Sequence, residues 1–498
     1  MKLAVLHSRA SSGIDSPEVT VEVHLSPGIP SLSIVGLPET AIKESKDRVR
    51  SALLNCHFEF PPRRITVNLA PADLPKKEGG RFDLPIAIGI LIASDQICVD
   101  GINNYELAGE LALCGALRPF SGALPFAIAA RFSKRNLIIP STNADEASLV
   151  NGVTVIPANN LLDVCAHLNQ TKVITPHQVS YKKSKRTHKL DIADIKGQEH
   201  AKRALEIGAA GEHSILMIGP PGTGKTMLAN RFITLLPEMS DDEALETAAV
   251  NSIAGKKFAI DAWKERPFRA PHHTASGVAL VGGSSPPRPG EISLAHNGIL
   301  FLDELLEFNR SVLDALREPM ECGFVTISRA AYQAKFPAKF QFIAAMNPCP
   351  CGNFGNAGKI CNCTREQIER YRARISGPLL DRIDMQIEVL NLPKGVLSRT
   401  SANAEKSEEI RQRVITARNI QFKRANKTNA HLMEKEIENF CRLDQENKEF
   451  LEIAMEKRGF SARVYHRILK LARTIADLDN CEEISQCHLS EAFSFRKL

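Results

Sequence analysis

The segment Ile218-Gly-Pro-Pro-Gly-Thr-Gly-Lys-Thr226 constrains this chain more than any other stretch. From Gly219 to Thr226 it satisfies G-x-x-x-x-G-K-[ST], a loop that folds around the phosphates of a nucleoside triphosphate. Gly219, Gly222 and Gly224 let the backbone turn its N–H groups inward with no Cβ in the way, and Pro220, Pro221 and Thr223 complete the loop. Lys225 can reach the β- and γ-phosphates, and the Thr226 hydroxyl can hold Mg²⁺. A Gly/Pro-rich surface turn could carry the same letters by chance, but the flanks argue against it. Ser214 to Ile218 reads as a buried strand entering the loop, and Met227 to Phe232 as a helix leaving it, which is the context the motif requires. The chain must therefore contain an α/β core that binds ATP or GTP.

Two further strand ends are expected at the same pocket. Ile299-Leu-Phe-Leu-Asp-Glu304 is an apolar strand ending in two carboxylates. Asp303 is placed to support Mg²⁺, and Glu304 to polarise the water that attacks the γ-phosphate. Gln341-Phe-Ile-Ala-Ala-Met-Asn347 is another buried strand ending in a polar residue. Asn347 is expected between the two nucleotide-binding strands, where it would help position that water. As an isolated feature, a strand-end Asn before Pro348 would be no more than a turn.

At 498 residues the prior is about three domains, each able to bury a core. Hydrophobic residues at 43% and charged ones at 24% are ordinary for a globular protein, and a net charge of +6 is compatible with nucleic acid without requiring it. Only Leu3-Ala-Val-Leu6 precedes polar residues at the start, so no signal peptide is read there. The longest apolar run, Leu84 to Ala93, is about half of what would span a bilayer. A cytoplasmic location with no membrane partner is the expectation.

Composition divides the chain into residues 1–172, a basic linker at 173–190, a core at 191–395 and a charged helical region at 396–498. The first mixes strand-like runs (Val19 to Leu25, Ile65 to Leu69, Val153 to Ile156) with helical ones (Ala41 to Asn55, Leu84 to Ser94). The linker includes Lys182-Lys-Ser-Lys-Arg186, which reads as a solvated spacer or as a DNA-touching segment. In the last region Val464, Ile468, Leu471 and Ile475 recur at helical spacing.

Twelve cysteines are many for a reducing compartment, where disulfides are rare. Cys349, Cys351, Cys361 and Cys363 fall in one Gly/Asn-rich segment at 349–363, and four thiolates there can complete a tetrahedral Zn²⁺ site. The C-x-C pairs depart from the usual C-x₂-C spacing. The other eight cysteines read as ordinary packing residues.

The ordered set of nucleotide motifs resembles the AAA+ ATPases, and the text between them resembles the branch containing magnesium-chelatase ATPase subunits and MCM helicases. Arg266-Pro-Phe-Arg-Ala-Pro-His-His-Thr274 and Pro289-Gly-Glu-Ile-Ser-Leu-Ala-His-Asn-Gly298 look like the segments bracketing that branch's helix-2 insert, with Val281 to Arg288 as its tip. Phe324 to Phe340 resembles the hairpin before the Asn-bearing strand. In related rings both elements project into the central channel, so the resemblance makes Arg288, Arg329, Tyr332 and Lys335 candidate DNA contacts. Gly377-Pro-Leu-Leu-Asp-Arg-Ile-Asp384 is similar to the branch's arginine-finger segment, which makes Arg382 the residue offered to a neighbouring subunit, with Arg374 as a rival. Ser461-Ala-Arg463 resembles sensor 2, with Arg463 reading the phosphate. A finger acting in trans implies a homo-hexamer.

Pro71 to Leu91 resembles the heart of a Lon-protease-type domain, but Gly80-Arg-Phe-Asp83 stands where an active domain carries its serine nucleophile, and Ser94 lies too far on to substitute. The resemblance therefore implies a proteolytically inactive domain. Taken together these regions are similar to the YifB/ComM family of magnesium-chelatase-like AAA+ ATPases over essentially the whole chain. The implied fold is α/β, with a Lon-like N-terminal domain, an AAA+ core bearing the helix-2 insert, and a C-terminal helical lid. The implied cofactors are ATP and Mg²⁺. The implied activity is that of a DNA motor, a helicase driving branch migration of recombination intermediates in natural transformation. Its partner is single-stranded and branched DNA, and a recombinase that hands over substrate is left open. A chelatase-like remodeller of a protein partner is the first rival reading. An ATP-dependent protease is the second, and it lacks a nucleophile.

Overall fold

The computed structural model describes residues 3–36, 39–72, 74, 76, 79–179, 190–256, 262–284, 287–329, 332–356, 359–392 and 404–496. Lys182 to Arg186, in the basic linker, lies outside these residues.

The N-terminal region is a seven-stranded mixed sheet. Its strands run in the order Ser31–Val35, Arg64–Ala70, Glu18–Ser26, Leu3–Arg9, Tyr105–Leu107, Asn136–Pro140 and Val155–Ala158. Glu18–Ser26 is antiparallel to both of its neighbours, and the remaining pairs are parallel. Val19, Val21, Val23 and Leu25 alternate into the core, as a strand with one wet face requires. The run that begins at Leu84 is a core helix, Asp83–Ala93, with all but Ile92 buried. It sits close on the sheet because a Cβ at Gly89 would stand 2.5 Å from Val23 Cγ2. Among the described residues no helix is long and apolar enough to cross a membrane.

The second sheet has five strands, all parallel, in the order Phe268–Arg269, Gly298–Leu302, Phe340–Met346, Ile215–Ile218 and Met385–Glu388. Both faces are covered. Ile299, Phe301, Ile343, Ile215 and Met217 face one core, while Leu300, Leu302, Phe342, Leu216 and Ile218 face the other. This is why these strands read as unbroken apolar runs. The first core is shared with the C-terminal helices Ser407–Ala425, Glu434–Phe440, Gln445–Arg458, Ala462–Leu478 and Gln486–Ser494. Val464, Ile468, Leu471 and Ile475 form the buried stripe expected of them.

Two excursions leave this sheet. Between the edge strand and the carboxylate strand, the chain forms the helix Gly277–Val281 and a two-residue ribbon in which Gly283 pairs with Arg288. Arg288 is exposed and belongs to the ribbon strand rather than to its tip. Between the carboxylate strand and the Asn-bearing strand lies an antiparallel hairpin, Phe324–Arg329 with Tyr332–Pro337. Arg329 and Tyr332 form its last described backbone pair, and their side chains lie outside the description. Lys335 is exposed, with its ammonium 3.5 Å above the Phe324 ring.

The two regions meet along the helices Ala123–Ser133 and Asp241–Ile253. Ala249 is buried there, with Leu245 and Ala248 packed alongside, and Trp263 closes a satellite cluster against Leu149. The turn at Gly13 reaches the hairpin, and a Cβ at that position would lie 3.1 Å from the Lys335 carbonyl oxygen.

Candidate nucleotide site and cysteine cluster

The pocket forms where three parallel strands end side by side. The Asn-bearing strand lies between the phosphate-loop strand and the carboxylate strand, so Asn347 falls between them as expected. Gly222 (φ +81°) and Gly224 (φ +92°) occupy the left-handed region with open space where a Cβ would point. Gly219 is needed for a different reason. A Cβ there would meet the Val389 carbonyl oxygen at 2.2 Å, so this glycine permits close packing and not an unusual turn. Thr223 Oγ1 donates to the Pro220 carbonyl at 2.9 Å and closes the loop. Lys225 opens the helix Lys225–Phe232, whose N-terminal amides and dipole favour an anion.

Lys225 is buried, and its Nζ donates to the carbonyls of Gly219 (2.7 Å) and Pro220 (2.9 Å) and contacts Asn347 Oδ1 at 3.4 Å. Burial pushes its ammonium below the ordinary lysine value, and the carboxylates of Asp303 and Glu304 oppose that shift. Thr226 Oγ1 donates to Asp303 Oδ2 at 2.7 Å, which brings together two hard oxygen donors that suit Mg²⁺. Asp303 Oδ1 accepts the backbone N–H of Glu304 at 2.9 Å. Glu304 has φ +50° and is exposed, and its Oε2 lies 3.2 Å from His273 Nδ1. Gly219 to Thr226, Asp303, Glu304 and Asn347 are thus one constellation.

The two arginines read from the family pattern lie apart from it. Arg382 donates to the Pro378 carbonyl at 2.6 Å and pairs with Glu321, leaving its side chain 12% exposed. Arg374 is 56% exposed, donates to the Leu306 carbonyl at 3.0 Å and stands 3.8 Å from Glu307. Arg463 is exposed in the first turn of Ala462–Leu478, with no hydrogen-bond or ion-pair partner among the described residues. Sequence reasoning missed Arg467, one turn further along. It donates to the Arg382 carbonyl at 2.9 Å and pairs with the partly buried Asp384, tying the helical region to the Arg382 segment. Burial alone would raise the Asp384 carboxyl, but Arg467, His213 and the Ser214 N–H hold it well below the usual range. His273 was also missed. No periodicity or spacing in the sequence marks it as a partner of Glu304.

The four clustered cysteines converge, with their Sγ atoms all within 4.8 Å of one another. Cys349 lies 3.4 Å from Cys351 and 3.7 Å from Cys361, and Cys351 lies 3.6 Å from Cys361. Four sulfurs about 2.3 Å from one Zn²⁺ stand about 3.8 Å apart, so the donor set and its spacing fit that ion. The loop abuts the pocket, since a Cβ at Gly352 would stand 2.8 Å from Pro221 Cδ. Of the remaining cysteines Cys56, Cys165 and Cys441 are buried as expected, but Cys98, Cys114, Cys322, Cys481 and Cys487 are exposed and are not packing residues.

In the N-terminal region the segment matched to a protease nucleophile holds only structural contacts. Asp83 accepts from Ser45 (2.7 Å) and Arg48 (2.6 Å), and Ser94 Oγ donates to the Ile90 carbonyl at 2.8 Å as its helix ends.

With this geometry in place, comparison with known proteins decides the family. Residues 191–397 match the family described as magnesium chelatase, subunit ChlI, and residues 404–496 match its C-terminal counterpart. Residues 21–143 match the family described as subunit ChlI of Mg-chelatase. Competence protein ComM of Haemophilus influenzae is 54% identical over 505 residues, covering 100% of this chain and 98% of that protein. The chain belongs to the YifB/ComM family of magnesium-chelatase-like AAA+ ATPases. Escherichia coli YifB, described as uncharacterized, is 50% identical over 499 residues, covering 100% of this chain and 98% of that protein. The chloroplastic magnesium-chelatase subunit ChlI of Chlamydomonas reinhardtii is 26% identical over 178 residues, covering 31% of this chain and 43% of that protein. YifB/ComM membership implies an ATPase that uses ATP and Mg²⁺.

Proposed function

We propose that this protein is an ATP-driven DNA motor, a homo-hexameric helicase that promotes branch migration of recombination intermediates in natural transformation. The observation that carries the reading is where the hairpin is attached. Phe324–Pro337 lies in the chain between the strand end that carries Asp303 and the strand that ends at Asn347, and we read it as the element that couples the pocket to DNA. Full-length similarity to a protein named for competence supports the DNA assignment.

Lys225 and the loop amides hold the phosphates, and Thr226 and Asp303 hold Mg²⁺. Glu304, aided by Asn347, activates water for in-line attack on the γ-phosphorus, releasing ADP and phosphate. Arg382 of one subunit neutralises the developing charge in its neighbour's pocket once it exchanges Glu321 for phosphate, and Arg463 acts from the lid. Arg288, Arg329, Tyr332 and Lys335 grip DNA through phosphate pairing and stacking. Cys349, Cys351, Cys361 and Cys363 hold one structural Zn²⁺, which braces the loop against Pro221. The N-terminal domain, residues 1–172, is Lon-like in descent and proteolytically inactive.

The test is ATP turnover and junction migration by purified protein with and without DNA, alongside metal analysis. Turnover should rise with DNA of any sequence and fall as salt is added. Lys335→Ala combined with Arg329→Ala should keep basal turnover and lose both stimulation and migration. An ATPase indifferent to DNA would return the protein-remodelling reading to first place.

A further inference from the structure

Strand register fixes which end of the N-terminal sheet faces the hairpin. Leu3–Arg9 runs toward the turn at Gly13, which touches Lys335, and Arg9 pairs with Glu18 at that end. Ser26 and Arg64 pair with each other at the opposite end. Strands of seven and nine residues, at about 3.3 Å per residue, put this far corner about 25 Å from the hairpin end. Three arginines gather there. Arg64 opens its strand with Arg63 just before it, and Arg50 lies near the end of the helix Glu39–Asn55. The Arg50 guanidinium carbon stands 5.4 Å from the centroid of the Phe60 ring. Pro61 and Pro62 follow that ring, and the Arg63 N–H donates back to the Pro61 carbonyl at 2.8 Å, which holds the turn tight.

An apolar tip sits beside them. The Ser31 N–H donates to the Arg63 carbonyl at 3.4 Å, and a Cβ at Gly28 would stand 3.8 Å from Arg64 Cβ, so the loop 27–30 is seated against the two arginines. Ile29, on that loop, is 86% exposed, the barest large apolar side chain among the described residues. All three arginines are exposed, and none forms an ion pair among the described residues, although Asp47 and Glu59 lie close in sequence. Elsewhere in the same domain Arg9, Arg48, Arg118 and Arg135 each pair with a carboxylate. Positive charge gathered without counter-charge repels itself and suits a polyanion.

We propose that this corner is a second DNA contact, in which Arg50, Arg63 and Arg64 hold phosphates and Ile29 abuts the open base stack of a branch point. The inference rests on the reading of DNA as the substrate. A guanidinium presents a fork of donors that matches two phosphate oxygens, and it needs no particular base. An apolar side chain pressed between base pairs must break their stacking, which is costly in continuous duplex. At a branch point the stack is already interrupted, so Ile29 fits there at the least cost. A lipid surface also offers phosphates, but one isoleucine on a loop supplies far less apolar area than an amphipathic helix inserts.

The experiment measures binding of the full-length protein to a synthetic four-way junction and to linear duplex, by fluorescence anisotropy over a range of salt concentrations. Each phosphate contact contributes about 0.9 to the slope of log affinity against log salt, so Arg63→Ala with Arg64→Ala should make that slope shallower by about 2. Junction affinity near 0.1 M salt should fall by about tenfold. Arg63→Lys with Arg64→Lys keeps both charges and stems, and should recover most of the slope; it also controls for folding. Ile29→Ser should leave duplex affinity unchanged and lower the preference for the junction by about threefold. A double alanine variant with the wild-type slope and affinity would overturn the inference, and an unchanged preference in Ile29→Ser would remove the isoleucine from the branch point. Vesicles of phosphatidylserine and phosphatidylcholine supply the other arm. Vesicle binding lost in the double variant while DNA binding stays at wild type would assign the corner to lipid and overturn the inference. Wild-type protein that binds no DNA sinks the underlying reading too, whereas DNA binding shared equally by wild type and double variant sinks this inference alone.

Discussion

In the nucleotide pocket, Asp303, Glu304 and Asn347 stand at the ends of parallel strands and Lys225 at the start of the helix after the loop, paired largely with one another or with nearby loop carbonyls. In the N-terminal domain the comparable charges are sunk in the sheet. Asp83 is fully buried and accepts from Ser45, Arg48 and the Leu111 N–H. Glu106 is likewise buried and accepts from Arg9 Nε and Nη2 at 2.7 and 2.8 Å. Both regions are α/β and both concentrate charge, so concentration of charge alone does not mark a site. What separates them is closure. A ligand site keeps donors at an accessible edge, whereas a structural network satisfies them where no ligand can enter.

The largest effects should show that contrast as opposite signatures. Glu304→Gln is expected to lower ATP turnover by about 10²- to 10⁴-fold with nucleotide affinity and melting temperature little changed, and Lys225→Ala to weaken nucleotide binding itself. Both are read from turnover, from equilibrium binding of an ATP analogue and from thermal unfolding. Asp83→Ala should do the reverse. It strands the partly buried Arg48 guanidinium and should cost about 3 kcal/mol of stability in denaturant unfolding, while protein that remains folded turns over normally. A turnover defect in folded Asp83→Ala would erase the distinction drawn between the two regions.

A finer test is pH. Burial raises the Asp83 carboxyl to about 6, against the lowering influence of Arg48 and Ser45. The folded protein therefore holds this proton where the unfolded chain, with a carboxyl near the ordinary value of about 3.9, has released it. Relative to Asp83→Asn, wild-type stability should fall as pH rises from about 4 to about 6 and level off above that, a change of about 2 kcal/mol. Parallel unfolding curves for the two proteins across this window would contradict it. The smallest effect concerns the contact between the regions. Gly13 has φ +61°, so Gly13→Ala should cost about 1 kcal/mol, and the added Cβ presses on the hairpin at Lys335. A DNA-stimulation ratio lowered along with stability would show that the N-terminal domain supports the hairpin mechanically.

Much of the pocket was legible in the order of residues because its parts are local. A phosphate loop needs its glycines, lysine and threonine within one turn, and a strand end can carry its carboxylates or asparagine in the last two positions. Four cysteines in one short loop are legible for the same reason, whatever their spacing. The core stripe Val464, Ile468, Leu471 and Ile475 follows from helical period alone. Those features, with full-length similarity to known relatives, determined the family without any coordinates.

Contacts between distant segments were decided only by the tertiary structure. Gly219 has the letter expected of a loop glycine, but what requires it is the Val389 carbonyl, brought in by the neighbouring strand Met385–Glu388. His273 meets Glu304 because the edge strand runs parallel to the carboxylate strand and ends beside it. Arg467 reaches Asp384 because the helical region shares a core with the five-stranded sheet. Five cysteines that composition assigned to packing are exposed, since a single residue type carries no period that states which way it faces. Spacing along the chain encodes interactions whose geometry is closed within a turn or a strand. Interactions closed by sheet order and shared cores depend on which elements become neighbours, and that is settled only when the whole chain packs.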